Sequence, residues 1–414
     1  MGQNRRKLDC GGCVALAVVS LLALLTASFL VGVGGPGEHT GAILERLERE
    51  GKLAEPAAAS PEPVQTATPV PMPTQTPEIQ TAEPDVGFTL AVAGSVSVPR
   101  PVREAALEGN GYDFSTVFLG LGTRFSQADL SICTLETLTD DRAPLGKANA
   151  PATLLDSLRA AGVDLVSLGT EHAYDAQGSG LDVTVSELTT RGMMSVGLRE
   201  ADSLPGQILQ IGGMKLAVLG YTYGVDAQGS STLTPALMDE AQIGRDILRA
   251  RSMGADVVVL LMHWGVINRR DVPESLRRLA RRLGEAGADL ILGSHTNFVL
   301  PVETMRVRRA DGMDYPCTVA YALGFLLSDA RSVEGASSAI LRFAIAKEDG
   351  RVCIDPLPVI PTYLARQQEG DRASVRLIEA DNEASRAVLI DSEREAAILA
   401  AQYVRQTVGE EEEL

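Results

Sequence analysis

RAAGVDLVSLGTEHAYD, residues 159 to 175, is the stretch that decides the fold. A helix-like segment ends in a small-residue turn, Asp164 opens the apolar run VDLVSL, and a polar loop with Glu171, His172 and Asp175 follows. The run does not alternate, so it predicts a strand buried on both faces. In an open α/β sheet the loop after such a strand lies at the ligand-binding edge.

The same unit recurs in FSQADLSICTLET (residues 125–137), RSMGADVVVLLMHWG (251–265) and GEAGADLILGSHTN (284–297). Asp129, Asp256 and Asp289 precede the apolar runs, and Glu136, His263 and His295 stand just beyond them. From Phe88 onward short β-type runs alternate with amphipathic helical stretches, which predicts an α/β fold. Any one of these histidines alone reads as a residue capping a strand. Three of the chain's four histidines fall in equivalent places, however, and that points to one shared site, working or ancestral. The fourth, His39, has no assigned role.

Against 37 Lys and Arg stand 54 Asp and Glu, a net charge of −17 over 414 residues. Binding nucleic acid by counterion release would need a basic surface working against that charge, and the 4% aromatic content leaves few platforms for stacking bases. Nucleic acid is therefore not expected as a partner. Five cysteines make no disulfide framework in a chain this long. Cys133, Cys317 and Cys353 read as core residues. Cys10 and Cys13 form a CxxC with no partner pair.

The basic start MGQNRRK precedes an uncharged apolar run from Cys13 onward, about 20 residues and long enough to cross a bilayer. Positive charge before the span keeps the N-terminus cytoplasmic. The expected organisation is a cytoplasmic N-terminus (1–11), an uncleaved single-pass anchor (12–33), an extracytoplasmic Pro/Thr-rich linker (34–85), a main domain (86–380), and a C-terminal helix with an acidic tail (381–414). GVGGPG at residues 32–37 is no nucleotide loop, because no strand precedes it.

The motifs resemble the CapA family, the poly-gamma-glutamate capsule synthesis proteins, whose domain is similar to the calcineurin-like metallophosphoesterases. FTLAVAGSVSVPR is similar to the family's opening strand, with Gly94 and Arg100 matching and Ser95 in place of aspartate. TLE keeps the acid at Glu136; LGTEHAYD keeps His172 and Asp175 but sets Glu171 where the family carries a metal-facing Asn. HWG matches at His263, followed by Ile267 in place of an acid. GSHTNFVLPVE keeps His295 and replaces a second histidine by Asn297, and in YALGFLLSD Phe325 takes the place of Asn. The resemblance implies a four-layer α/β/β/α sandwich of two mixed sheets with helices outside. It also implies a role for Arg100 and Asn297 in binding substrate.

A two-metal hydrolytic site holds its ions with a carboxylate able to bridge them. Ser95, neutral and short, is a poor substitute for such a group, and Asn297 binds transition metals less well than histidine. Glu136, Glu171, His263 and His295 remain as ligands for one divalent ion, manganese or zinc, if any is bound. His172 is then the natural general acid. Two readings follow. One is an exported metal-dependent hydrolase acting on phosphoester or wall-derived substrates. The other is a membrane-anchored relative, weakened or silent in catalysis, that handles an extracellular anionic polymer such as poly-gamma-glutamate alongside membrane-bound synthesis proteins. LRRLARRL (276–283) places Arg277, Arg278, Arg281 and Arg282 on one helix face, either simply solvated or a contact for such a polymer.

Overall fold

The computed structural model describes residues 86–410 apart from 147, 177–178, 230 and 370–371, so the expected anchor, the linker and the end of the acidic tail lie outside the described residues. Among the described residues no helix is long and apolar enough to cross a membrane.

In chain order the longer strands are β1 (Val86–Val96), β2 (Leu130–Leu135), β3 (Leu165–Ser167), β4 (Met194–Val196), β5 (Gly206–Ile211), β6 (Met214–Thr222), β7 (Val257–His263) and β8 (Leu290–Ser294). They continue as β9 (Val302–Arg308), β10 (Asp314–Ala320), β11 (Phe325–Leu327), β12 (Ser337–Glu348), β13 (Arg351–Glu369) and β14 (Arg372–Glu379). One sheet runs β14-β13-β12-β1-β2-β3-β4, with β11 also paired to β1. Within it β1 to β4 are parallel, and β12 to β14 are antiparallel additions. The second sheet runs β5-β6-β7-β8-β10-β9, with β6, β7, β8 and β10 parallel.

The two sheets pack face to face. Leu90, Val92 and Ile132 of the first meet Leu216, Val218, Val259 and Leu292 of the second in one apolar layer. Alternate residues point the other way: Ala91, Ala93 and Cys133 lie against Leu154, Leu155 and Leu158 of α1 (Thr153–Ala161) and Leu181 and Leu188 of α2 (Gly180–Thr190). On the opposite side Val258, Leu260 and Ile291 pack against Ile243 and Ile247 of α3 (Glu240–Ser252) and Leu276, Leu279 and Leu283 of α4 (Glu274–Ala286). Helices, sheet, sheet and helices thus form four layers. The unbroken apolar runs of the sequence are strands covered on both faces, each fully buried leucine contributing about 2 kcal/mol.

The recurring aspartate has a structural task that its position before each apolar run hides. Asp129 Oδ2 accepts from Thr89 N at 2.7 Å, Asp164 Oδ2 from Ser131 N at 3.0 Å, Asp256 Oδ2 from Lys215 N at 2.8 Å and Asp289 Oδ2 from Val258 N at 2.7 Å. In each case the aspartate's own N–H donates back to the carbonyl of the same partner residue. Each aspartate therefore clips the start of its strand to its parallel neighbour and satisfies a backbone donor that the ladder leaves open.

The expected C-terminal helix is α5 (Asp391–Val408), which packs into the main domain, burying Ala397, Ala400 and Ala401 in the first apolar cluster and Val404 in the layer between the sheets. Of the α4 arginines, Arg277 pairs with Glu303, Arg278 with Glu274 and Arg282 with Glu240, while Arg281 donates to the Arg306 carbonyl; Arg278 and Arg281 remain exposed. Cys133 and Cys317 are buried free thiols, whereas Cys353 is half-buried rather than a core residue.

Candidate metal centre

The site gathers at the carboxyl ends of the parallel strands. Ser95 lies near the end of β1, Glu136 follows β2, Glu171 and His172 lie in the loop after β3, His263 closes β7, and His295 follows β8. Strand register sets their depth: Ser95 is opposite Thr134, which is opposite Ser167, while His263 is opposite Ser294. Gly94 is required by close approach, since a Cβ there would come within 2.2 Å of the Gly324 carbonyl. His295 has φ of 95°, a left-handed backbone rare for histidine.

At the centre Glu171 Oε2 stands 2.8 Å from His263 Nε2 and 2.9 Å from His295 Nδ1. All three side chains are buried. Ser294 Oγ lies 2.8 Å from His263 Nδ1 and so leaves Nε2 turned to Glu171. The two imidazoles meet edge to face at 5.0 Å, and Tyr223 packs on both, 4.8 Å from the His295 ring. Glu136 Oε1 is 3.8 Å from His263 Nδ1.

His172 sits on the outer side, its Nδ1 2.7 Å from Asp175 Oδ2 and its Nε2 3.5 Å from Glu171 Oε1. A carboxylate absent from the sequence expectations, Asp226, comes within 3.9 Å of His172 Nδ1. Its backbone N–H donates to the Glu171 carbonyl at 2.9 Å, which ties the loop after β6 to the loop after β3. The sequence did carry a signal for it: KLAVLGYTYGVD is another apolar run that ends in a polar loop with an acid.

Burial works against charge on Glu171, but the imidazoles of His263 and His295 outweigh it and hold the carboxyl well below the usual carboxylate range. Glu136 moves the opposite way, its affinity for a proton raised by burial. For His172 burial alone would lower the pKa. The hydrogen bond to Asp175 and the charges of Glu171 and Glu136 prevail and push it up to about 9.

A cavity of about 240 Å³ opens here, its lining including Glu136, Glu171, His172, His295, Ile267, Asn297, Phe325 and Ser328. Ser95 is fully buried and is not among the residues lining it. Asn297 Nδ2 donates to Asn268 Oδ1 at 2.6 Å. Arg100 is not brought in. Its side chain is 79% exposed, pairs with Glu104 at 2.6 Å, and is not among the residues lining the cavity.

Two imidazoles and a carboxylate within 4.8 Å of one another are a donor set suited to zinc or manganese. Glu136 Oε1 and Ser95 Oγ are buried with no hydrogen-bond partner. Such an orphaned carboxylate oxygen is the atom that a cation beside His263 would satisfy. The residues present fit one ion.

These features define a class of protein: an α/β sandwich with a His/Glu cluster at the strand ends. The bacterial capsule synthesis protein family PGA_cap matches residues 89–330, more than half of the chain, and the chain belongs to that family. Among its relatives is the PGA biosynthesis protein CapA of Bacillus subtilis, 26% identical over 203 residues, 47% of this chain and 50% of that protein. The capsule biosynthesis protein CapA of Bacillus anthracis is 22% identical over 291 residues, 66% of this chain and 67% of that one. The chain thus spans half the length of the first relative and about two thirds of the second. Similar solved structures include the calcineurin-like phosphoesterase YfkN of Bacillus subtilis, with TM-score 0.39, 12% identity, and coverage of 78% of this chain and 98% of that one. Another is the sulfate thiohydrolase SoxB of Thermus thermophilus, with TM-score 0.35, 15% identity, and coverage of 77% and 60%.

Proposed function

We propose that this protein takes part in the synthesis, export or anchoring of an extracellular anionic polymer such as poly-gamma-glutamate, at the outer face of a membrane that its N-terminal segment spans. The observation that carries the reading is the buried Glu171–His263–His295 cluster within a chain of the capsule synthesis family. Membrane-bound polymer-synthesis proteins are the partners this reading asks for.

Glu136, Glu171, His263 and His295 would hold a divalent ion, which when bound supplies Lewis-acid polarisation of a substrate oxygen. The chain's own residues do the rest. Asp175 fixes the His172 ring at 2.7 Å, and His172 holds a proton at the cavity wall. Ile267 and Phe325 add apolar surface to the lining of the same cavity. With Ser95 and Asn297 in place of stronger ligands, two-ion hydrolysis of the phosphoesterase kind is weakened, and binding the polymer outweighs cutting it.

The test is to incubate the full-length protein with poly-gamma-glutamate of defined length, then measure retention and product size. Retention with unchanged polymer length supports the reading. Rapid shortening of a phosphoester or wall-derived substrate, with no retention of the polymer, favours the exported hydrolase instead.

A further inference from the structure

We propose that Arg270 and Arg331, backed by Arg366, border the cavity as the surface on which an anionic polymer docks through its carboxylates. This rests on the polymer reading above and names the residues that would do the holding.

The segments that line the cavity carry these arginines. Ile267 stands in the loop after β7 that continues to Arg270, and Asn297 adjoins Phe298, over whose ring the Arg270 guanidinium lies at 4.5 Å. Ser328 and Asp329 line the cavity just before Arg331. The Ser328 carbonyl accepts from Arg366 Nη2 at 2.5 Å, so Arg366 of β13 reaches the same stretch from another part of the chain.

Their charge is not spent within the fold. Arg366 is half-buried, its side chain donates otherwise only to the Leu364 carbonyl, and it forms no ion pair among the described residues. Its Nε is buried with no hydrogen-bond partner. Burial and the charge of Arg331 lower the pKa of this guanidinium, and the charges of Asp329 and Glu393 offset them only in part. Arg331 is exposed and likewise without an ion pair among the described residues, while Arg270 is 58% exposed and 3.6 Å from Glu334. On α4, by contrast, three of the four arginines pair with glutamates. A partly buried cation with no counter-ion is costly, and a carboxylate docked at the border relieves it. Guanidinium groups match carboxylates in shape as well as charge. Because Arg270 and Arg331 stand on separate loops, a chain of linked carboxylates meets both at once, which a single small anion does not.

The experiment is calorimetric titration of full-length protein with poly-gamma-glutamate at low and high salt, repeated with the polymer whose carboxylates are capped as methyl esters. Arg270→Gln and Arg331→Gln are each expected to weaken binding by up to about fivefold, the reach of an exposed ion pair, and to flatten its salt dependence. Arg366→Gln is expected to weaken it most. Arg278→Gln, at an exposed arginine of α4, is expected to change nothing, and the esterified polymer is expected not to bind. Arg270 and Arg331 are exposed, so their variants keep the fold and decide the case even where Arg366→Gln does not fold. Binding that both variants retain in full, a loss as large in Arg278→Gln, or equal binding of the esterified polymer overturns the arginine border and leaves the polymer reading standing. No binding by the unaltered protein overturns both.

Discussion

Glu171 is the residue on which the site turns. Its burial between two imidazoles makes it the charge that holds His263 and His295 together. His172 depends on acids too, and its dependence can be read in solution. Its folded-state pKa is raised from 6.5 to about 9, so its contribution to stability is fully present below the unfolded value and is lost as pH rises through about 9. In chelator, the urea midpoint is expected to fall across that window, and Asp175→Asn is expected to flatten the decline; an unchanged profile in the variant would show that Asp175 does not hold the imidazole. Glu136, Glu171, His172, His263 and His295 were legible because each ends the same repeated unit. Arg100 was misread because a motif match gives sequence position alone, while the short helix that starts there points its side chain to Glu104 and solvent. Asp226 was missed because the apolar run in KLAVLGYTYGVD ends four residues before the acid, and only the fold brings the loop after β6 against the loop after β3.

At the scale of the element, the recurring Asp explains why the unit is built as it is. Asp289 is the most committed of the four: it accepts from Val258 N and pairs with Arg251 at 2.6 Å and Arg309 at 2.8 Å. Asp289→Ala leaves a strand-start N–H and two partly buried guanidinium groups without that partner, for an expected loss of about 2–4 kcal/mol. Urea denaturation measures it, and a loss no larger than that of an exposed alanine substitution would remove the clip from the account. The strands were legible because burial on both faces writes an unbroken apolar run. The fate of α4 was not. Its amphipathic pattern places arginines on the outer face, but nothing local tells that Glu240, Glu303 and the Arg306 carbonyl wait there. For α5 the small residues Ala397, Ala400 and Ala401 were the overlooked sign of close packing, for they let the helix sit against the sheet it follows.

Across the whole molecule, the two parallel strand sets end at the same rim, and the buried candidate ligands come from both: Glu136 and Glu171 from the first sheet, His263 and His295 from the second. The layer of Leu90, Val92, Val218 and Val259 between the sheets fixes the distance across which they meet. The sandwich was legible through the family resemblance, since periodicity alone gives strands and helices but not how two sheets face one another. The account stands on those four ligands converging on a cation. Its most direct test is an anomalous difference map from crystals of the protein grown with zinc. The expected result is a peak in the cavity wall between Glu171, His263 and His295, absent from crystals of the His263→Ala variant. A map with no peak there, or one with zinc bound only at the protein surface, would contradict it.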